Sequence, residues 1–274
     1  MSGASSTVWG LPLTPLTRSQ AVARVAELIQ ARKPSYFITA NTHYAMLTAE
    51  VAELGAVNCD AAFILADGAP LVVASRRTAN PVPERVAGSD LIYDLCEMAA
   101  DRDHGVYLLG GPPGIAEEAA RQLVAKYPKL RVVGTACPDP SDLVEPRIND
   151  LIMQIRIAQP DLLLVALGQP KGEFWLARHL QALDVPVSAQ VGATLDFVAG
   201  RVRRAPKLLQ KAGMEWAFRI YTDPVRLAPR YWKNARFLFK QVIRDRVWPS
   251  RPAEVRTADA PLATTRGDGL RASS

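Results

Sequence analysis

From residue 36 to residue 192 two hydrophobic periods alternate along the chain. Short apolar runs rich in β-branched residues, namely YFITA (36–40), AFILA (62–66), VYLLG (106–110), RVVGT (131–135), DLLLVAL (161–167) and VPVSAQV (185–191), have the length and composition of buried strands. Between them, THYAMLTAEVAEL (42–54), SDLIYDLCEMAAD (89–101), PGIAEEAARQLVAKY (113–127), DLVEPRINDLIMQIRIA (142–158) and KGEFWLARHLQAL (171–183) repeat apolar residues at three- and four-residue spacing. That is the period of a helix with one buried face. Ser89 with Asp90 supplies side-chain oxygens where the second of these helices should start. The alternation predicts an α/β fold, a Rossmann-like, mostly parallel sheet flanked by helices.

In an open parallel sheet, ligands bind beyond the carboxyl ends of the strands, where loops and helix N-termini converge. The polar and glycine positions of this chain fall at those ends: Thr39 and Asn41, Asp67 and Gly68, Gly110 and Gly111, Gly168 and Gln169, and Gly192. Asp67 stands out because it follows an apolar run and precedes a glycine. Two readings are open for it: capping a helix that begins at Ala69, Pro70 and Leu71, or catalysis. Thr39 and Asn41 either hold a polar ligand or serve the turn. Arg85 lies in TANPVPERVAG (78–88), a loop long enough to fold over a site, where a guanidinium is either solvated or grips a diphosphate at two points.

Other motifs narrow the chemistry. LLGGPPG (108–114) resembles a phosphate-binding turn but matches neither the dinucleotide nor the P-loop pattern. Asp101, Arg102 and Asp103 spell DxD, yet they end a helix before a strand, at the amino end of the sheet, and read as surface charge. His43, His104 and His179 lack ligand spacing, so no metal site is expected. Cys59, Cys96 and Cys137 are too few and too far apart for a disulfide framework or a zinc site and read as reduced thiols. No run approaches the roughly 18 apolar residues of a membrane span. The start MSGASSTVWG has no basic and apolar leader, and a cytoplasmic location is expected.

Charge divides the chain more sharply than hydropathy does. Residues 200–249 hold 13 Lys and Arg against three Asp and Glu, a net +10, and the rest of the 274 residues carries −4. At about 100° per residue, Arg226, Arg230, Lys233, Arg236, Lys240 and Arg244 share one side of a helix. Leu227, Tyr231, Ala235, Leu238, Phe239, Val242 and Ile243 take the other, and Pro229 begins or kinks it. A basic face beside an apolar one suits a helix at an anionic membrane interface, or one packed on the body. No nucleic-acid motif accompanies the charge. Three parts are expected: an α/β body over 1–199, a basic amphipathic helical appendage over 200–249, and a disordered tail rich in Pro, Ala, Thr, Arg and Ser over 250–274.

The segments ITAN, LADGAPLVVASR, ERVAGSD, LLGGPPG, ALGQPKGEFW, VGATLDFVAGRVRRAP and GMEWAFRIYTDPVRLAPRY occur in an order that resembles the WecG/TagA/CpsF family of bacterial glycosyltransferases, over roughly residues 7 to 245. The resemblance implies transfer of a hexose-type sugar from a nucleoside diphosphate donor, with UDP favoured, to a sugar on undecaprenyl diphosphate, in the synthesis of cell-surface polysaccharide. It further implies inversion at the anomeric carbon with no metal and no cofactor, at the inner face of the cytoplasmic membrane. The expected partners are the sugar nucleotide donor, the lipid-linked acceptor and an anionic membrane surface, without nucleic acid; a homo-oligomer is left open. The alternative is a non-catalytic anion-binding module that docks on membrane or nucleic acid.

Residue by residue, Asp67 matches the aspartate of the family's ADG segment, and the resemblance implies the role of general base. Its pKa should rise above the ordinary value of about 3.9 through partial burial. Thr39, Asn41, Arg85, Gly110, Gly111, Gln169, Lys171 and Asp196 match positions expected around the substrates. Arg219, Arg226 and Arg230 are expected to stabilise the leaving diphosphate if the appendage folds over the site. One departure stands out: where the family usually reads PKQE, this chain has Pro170, Lys171, Gly172 and Glu173, so a glutamine amide is missing at 172.

Overall fold

The protein is described from a computed structural model that covers residues 5–206 and 215–247, without the side chains of Pro140, Arg226 and Val247. The expected tail from residue 250 lies outside the described residues. All six strands expected from the apolar runs form one parallel sheet: β3 (Ser35–Ala40), β4 (Phe63–Ala66), β5 (Gly105–Gly110), β6 (Arg131–Ala136), β7 (Leu162–Ala166) and β8 (Val187–Gln190), in the spatial order β4-β3-β8-β7-β5-β6. Before it comes a short antiparallel hairpin, β1 (Ser6–Val8) and β2 (Leu11–Leu13), followed by α1 (Arg18–Ala31). α1 is opened by a capping box between Thr17 and Gln20.

Strand residues alternate between two cores, one on each face of the sheet. Tyr36, Ile38, Ala40, Leu163 and Val165 point to the face covered by α2 (Thr42–Glu50), α3 (Leu54–Asp60), α4 (Ala69–Ser75), α7 (Arg147–Ala158) and α8 (Lys171–Leu183). Phe37, Leu162, Leu164 and Val187 point to the face covered by α1, α5 (Gly88–Asp101), α6 (Ile115–Lys126) and α9 (Thr194–Val198). Sheets buried on both faces carry near-continuous apolar strands, which is why the apolar runs marked them so clearly.

Helix boundaries differ from expectation in three places. The run over 42–54 is divided between α2 and α3, because Val51 turns to extended backbone at the end of α2. The stretch over 142–158 becomes a 3₁₀ turn over Pro140–Leu143 and then α7. α5 starts at Gly88, ahead of Ser89, with Ala87 at the cap position and no side-chain cap; Asp90 pairs instead with Arg204 at 2.7 Å.

The basic segment forms α10 (Glu215–Thr222) and α11 (Pro224–Val247). Pro224, where no helical N–H is needed, opens α11, and Pro229 lies inside it. α11 packs across α2, with Asn234, Phe237 and Gln241 buried on its inward face. Among the described residues no helix is long and apolar enough to cross a membrane.

Gly110 ends β5 in the left-handed region, φ +110°, where a Cβ would meet the carbonyl carbon and oxygen of Ala166 at 2.7 Å each. Gly110→Ala therefore has to strain the backbone and force β5 and β7 apart. It should lower unfolding free energy by about 2 to 4 kcal/mol, combining strain with overpacking. Urea denaturation followed by circular dichroism measures this.

Candidate active site

Asp67 leaves β4 with its backbone N–H donated to Ala40 O at 2.7 Å, which fixes the residue at the carboxyl rim of the sheet. α4 begins at Ala69, as expected, but Gly68 holds the cap position and no side chain caps that helix. The Asp67 carboxylate instead accepts from the backbone N–H of Gly88, the first residue of α5. Arg85 Nε lies 3.8 Å from Asp67 Oδ1. Burial pushes the Asp67 pKa up to about 7. Arg85, the Gly88 N–H and Arg219 oppose the rise, and the negative charge of Glu215 adds to it. Gly88 can approach this closely because it lacks a side chain: a Cβ would lie 3.2 Å from Thr39 Oγ1 and 3.3 Å from both Thr194 Oγ1 and Val191 O.

The loop over 78–88 folds along the rim of the sheet, with Val86 N donating to Ala66 O at 2.9 Å. It carries Arg85 to a position between two acids. Arg85 Nη2 donates to Glu215 Oε2 of α10 at 3.2 Å, and Arg219 Nε lies 3.9 Å from Glu215 Oε1. The Arg219 guanidinium stacks over the Phe197 ring at 4.5 Å. Asp67, Arg85, Glu215 and Arg219 thus alternate in sign across one wall.

α11 forms the roof. Trp9 Nε1 donates to Asp245 Oδ2 at 3.2 Å, Arg77 reaches the same carboxylate at 3.6 Å, and Trp9 meets Phe237 edge-on at 5.6 Å. His43 Nδ1 lies 3.1 Å from Asn234 Oδ1; burial, then the charge of Arg230, lowers the His43 pKa to about 4 and leaves the ring neutral at pH 7. Beneath this roof is a cavity of about 710 Å³, within the roughly 300–1,000 Å³ of small-ligand sites.

Seven of the twelve residues expected to catalyse or to contact the substrates line the cavity: Thr39, Asn41, Asp67, Arg85, Gln169, Arg219 and Arg230. Two of them also have structural tasks. Thr39 Oγ1 donates to Gln190 O at 3.0 Å, and Asn41 Oδ1 caps α2 by accepting from His43 N and Tyr44 N. Gly110, Gly111, Lys171 and Asp196 lie outside the lining. Gly110 and Gly111 serve close packing against Ala166 and Ile115, Lys171 is exposed, and Asp196 pairs with Arg201 at 3.3 Å. The Arg226 side chain lies outside the described residues.

Glu215, Asp245, His43, Trp9 and Asn234 line the cavity although nothing in the motifs singled them out. A signal was available for the first two: they are two of the three acids in the strongly basic stretch 200–249. Among the described residues no three His, Cys, Asp or Glu side chains gather as a metal site requires. The cations of the cavity are Arg77, Arg85, Arg219 and Arg230.

A curated protein of Bacillus spizizenii, N-acetylglucosaminyldiphosphoundecaprenol N-acetyl-beta-D-mannosaminyltransferase, is 27% identical over 72% of this chain and 75% of its own. The protein of the same name from Staphylococcus aureus is 29% identical over 71% of this chain and 74% of its own. The profile of the glycosyl transferase WecG/TagA/CpsF family matches residues 6–252, and the chain belongs to this family of glycosyltransferases.

Proposed function

We propose that the protein transfers a hexose-type sugar, with inversion and without a metal, from a UDP-activated donor to a sugar carried on undecaprenyl diphosphate, as a step in making a cell-envelope polymer. The lipid-linked acceptor is supported by the names of the relatives. The observation that carries the chemistry is the placement of the Asp67 carboxylate at the rim of the sheet, 3.8 Å from Arg85 Nε and facing a cavity that Arg219 and Arg230 also line; burial pushes its pKa up to about 7. Asp67 takes the proton of the acceptor hydroxyl as its oxygen attacks the anomeric carbon. The bond to the nucleoside diphosphate breaks on the opposite side, and Arg85, Arg219 and Arg230 receive the charge that develops there. A base with a pKa near the working pH is best matched to that task.

The acceptor's lipid anchor requires a membrane-facing surface. α10 and α11 offer one: Tyr221, Val225, Trp232, Phe239 and Ile243 are exposed, with Trp232 and Phe239 each 68% accessible. On α11 the exposed Lys233, Arg236, Lys240 and Arg244 run beside them. The apolar band therefore points outward, away from the face that packs on α2. We propose that this surface lies in the headgroup region of the inner face of the cytoplasmic membrane, with the cavity opening toward the lipid diphosphate.

Asp67→Asn should retain the fold and lose about 10²- to 10⁴-fold in kcat, the usual worth of a general base, in a radiolabelled sugar-transfer assay. In the unmodified enzyme kcat/KM should rise with pH through about 7, as the base loses its proton. Glu215→Gln removes a negative charge that raises this midpoint and should move it to lower pH, whereas Arg85→Ala should move it higher. Near-full turnover by Asp67→Asn would refute the assignment.

Replacing Trp232 and Phe239 together with Ser should weaken flotation with vesicles containing anionic phospholipid by on the order of tenfold or more. Transfer to a water-soluble acceptor analogue should be retained. Unchanged flotation would remove α11 from the membrane contact.

A further inference from the structure

Behind the cavity lies a layer of buried polar groups that the proposed reaction does not use. Glu173, in the first turn of α8, is fully buried, and neither carboxyl oxygen has a well-formed hydrogen bond. Burial raises its pKa to about 7, against the side-chain amides of Gln169 and Gln190 and the charge of Arg230. Gln190, the last residue of β8, is also fully buried; its amide faces the Glu173 carboxyl without a well-formed hydrogen bond at either amide atom. Gln169 Oε1 is buried and unpaired as well, and Gln169 alone of the three lines the cavity. Unsatisfied buried polar groups are costly, so a cluster of them beside a ligand cavity calls for a use.

Gly172 shows how the cluster is arranged. A Cβ at this position would meet Gln190 Nε2 at 2.2 Å, Cδ at 2.5 Å and Oε1 at 2.8 Å. The Gln190 amide therefore occupies the space that a side chain at 172 would enter. In the PKQE pattern that this segment resembles, a glutamine stands at the sequence position of Gly172, one residue before the glutamate that this chain keeps as Glu173.

We infer that Gly172 and Gln190 form an exchanged pair. The amide that the family pattern carries on the helix is supplied in this chain from the end of β8, where it lies against Glu173 and positions Gln169 toward the uncharged polar groups of the bound sugar. An amide both donates and accepts, which matches hydroxyl or acetamido groups rather than a diphosphate. Gln190 is thus a positioning residue, two steps from the ligand. Naming a sugar as that ligand rests on the glycosyltransfer reading; the exchange itself does not.

The test is a cycle of Gly172→Gln, Gln190→Gly and the double variant, followed by thermal unfolding. Gly172→Gln alone should lower Tm by about 4 to 10 °C through overpacking, and Gln190→Gly alone should lower it by opening a void beside Glu173. The double variant should recover to within about 2 °C of the parent. Gly172→Ala, alone and with Gln190→Gly, repeats the cycle if the larger residue prevents folding. Additive losses, or an undisturbed Gly172→Gln, would overturn the exchange.

A second arm measures affinity by calorimetry for UDP and for the UDP-sugar that most raises the parent's Tm. Gln190→Ala should leave UDP binding unchanged and weaken the UDP-sugar at least threefold, and Gln169→Ala should do the same. Equal loss for both ligands would overturn the positioning role. Absence of any UDP-sugar binding to the parent would instead count against the transfer reading, leaving the Tm cycle to decide the exchange.

Discussion

Desolvation of a single carboxylate at the rim of the sheet organises this site. Asp67 follows four buried residues of β4, and its main chain is fixed to β3. Left alone, burial of this kind would keep the acid protonated and useless as a base. Three features oppose it: the guanidinium of Arg85, the N–H of Gly88 at the start of α5, and the more distant charge of Arg219. The balance falls near neutral pH, where an acid can take up a proton and release it again. Each opposing group depends on a local feature of the fold. The loop over 78–88 brings in Arg85, and the missing side chain of Gly88 lets α5 reach the strand ends.

The C-terminal helices join this balance from outside the α/β body. Glu215 and Arg219 of α10 enter the wall beside Asp67, and Asp245 of α11 is held by Trp9 and Arg77 of the body. Glu215 pairs with Arg85, one of the cations that the proposed reaction assigns to the departing diphosphate. The same helices that complete the cavity also carry the exposed aromatic band, so the proposed membrane contact and the site would share one element. This arrangement gives a physical reason for the division of charge along the chain: exposed Lys233, Arg236, Lys240 and Arg244 flank the apolar band on the outside, and two of the segment's three acids, Glu215 and Asp245, line the cavity.

How much of this was legible in the sequence follows from which forces act locally. Most of the six strands are legible because burial on both faces leaves them mainly apolar; the edge strand β6, with no buried residue, is legible from its β-branched run alone. Asp67 and Arg85 were readable because a polar residue at a strand end, or in a long loop, departs from that pattern. The hairpin over 6–13 and the helix over 18–31 were not read, since three-residue strands and the weak amphipathicity of RSQAVARVAELIQA carry little signal. The helical wheel of α11 leaves two readings open for its apolar side, and the inward face shows which side packs: Asn234 and Gln241 are buried there, while Phe239 and Ile243 face out. A helix that packs through polar contacts and exposes aromatics reverses the usual reading of a helical wheel. Gly110 and Gly111 were read as ligand-binding, but the close approach of β7 and Ile115 gives them a steric task that no local motif reveals.

The protonation of the Asp67 carboxyl group can be observed without any assay of transfer. Titration of protein labelled with ¹³C at aspartate side-chain carboxyls, with Asp67→Asn used to assign the signal, follows Asp67 itself. Its midpoint should lie near pH 7 when no substrate is added. A midpoint near the ordinary aspartate value of about 4 would contradict it.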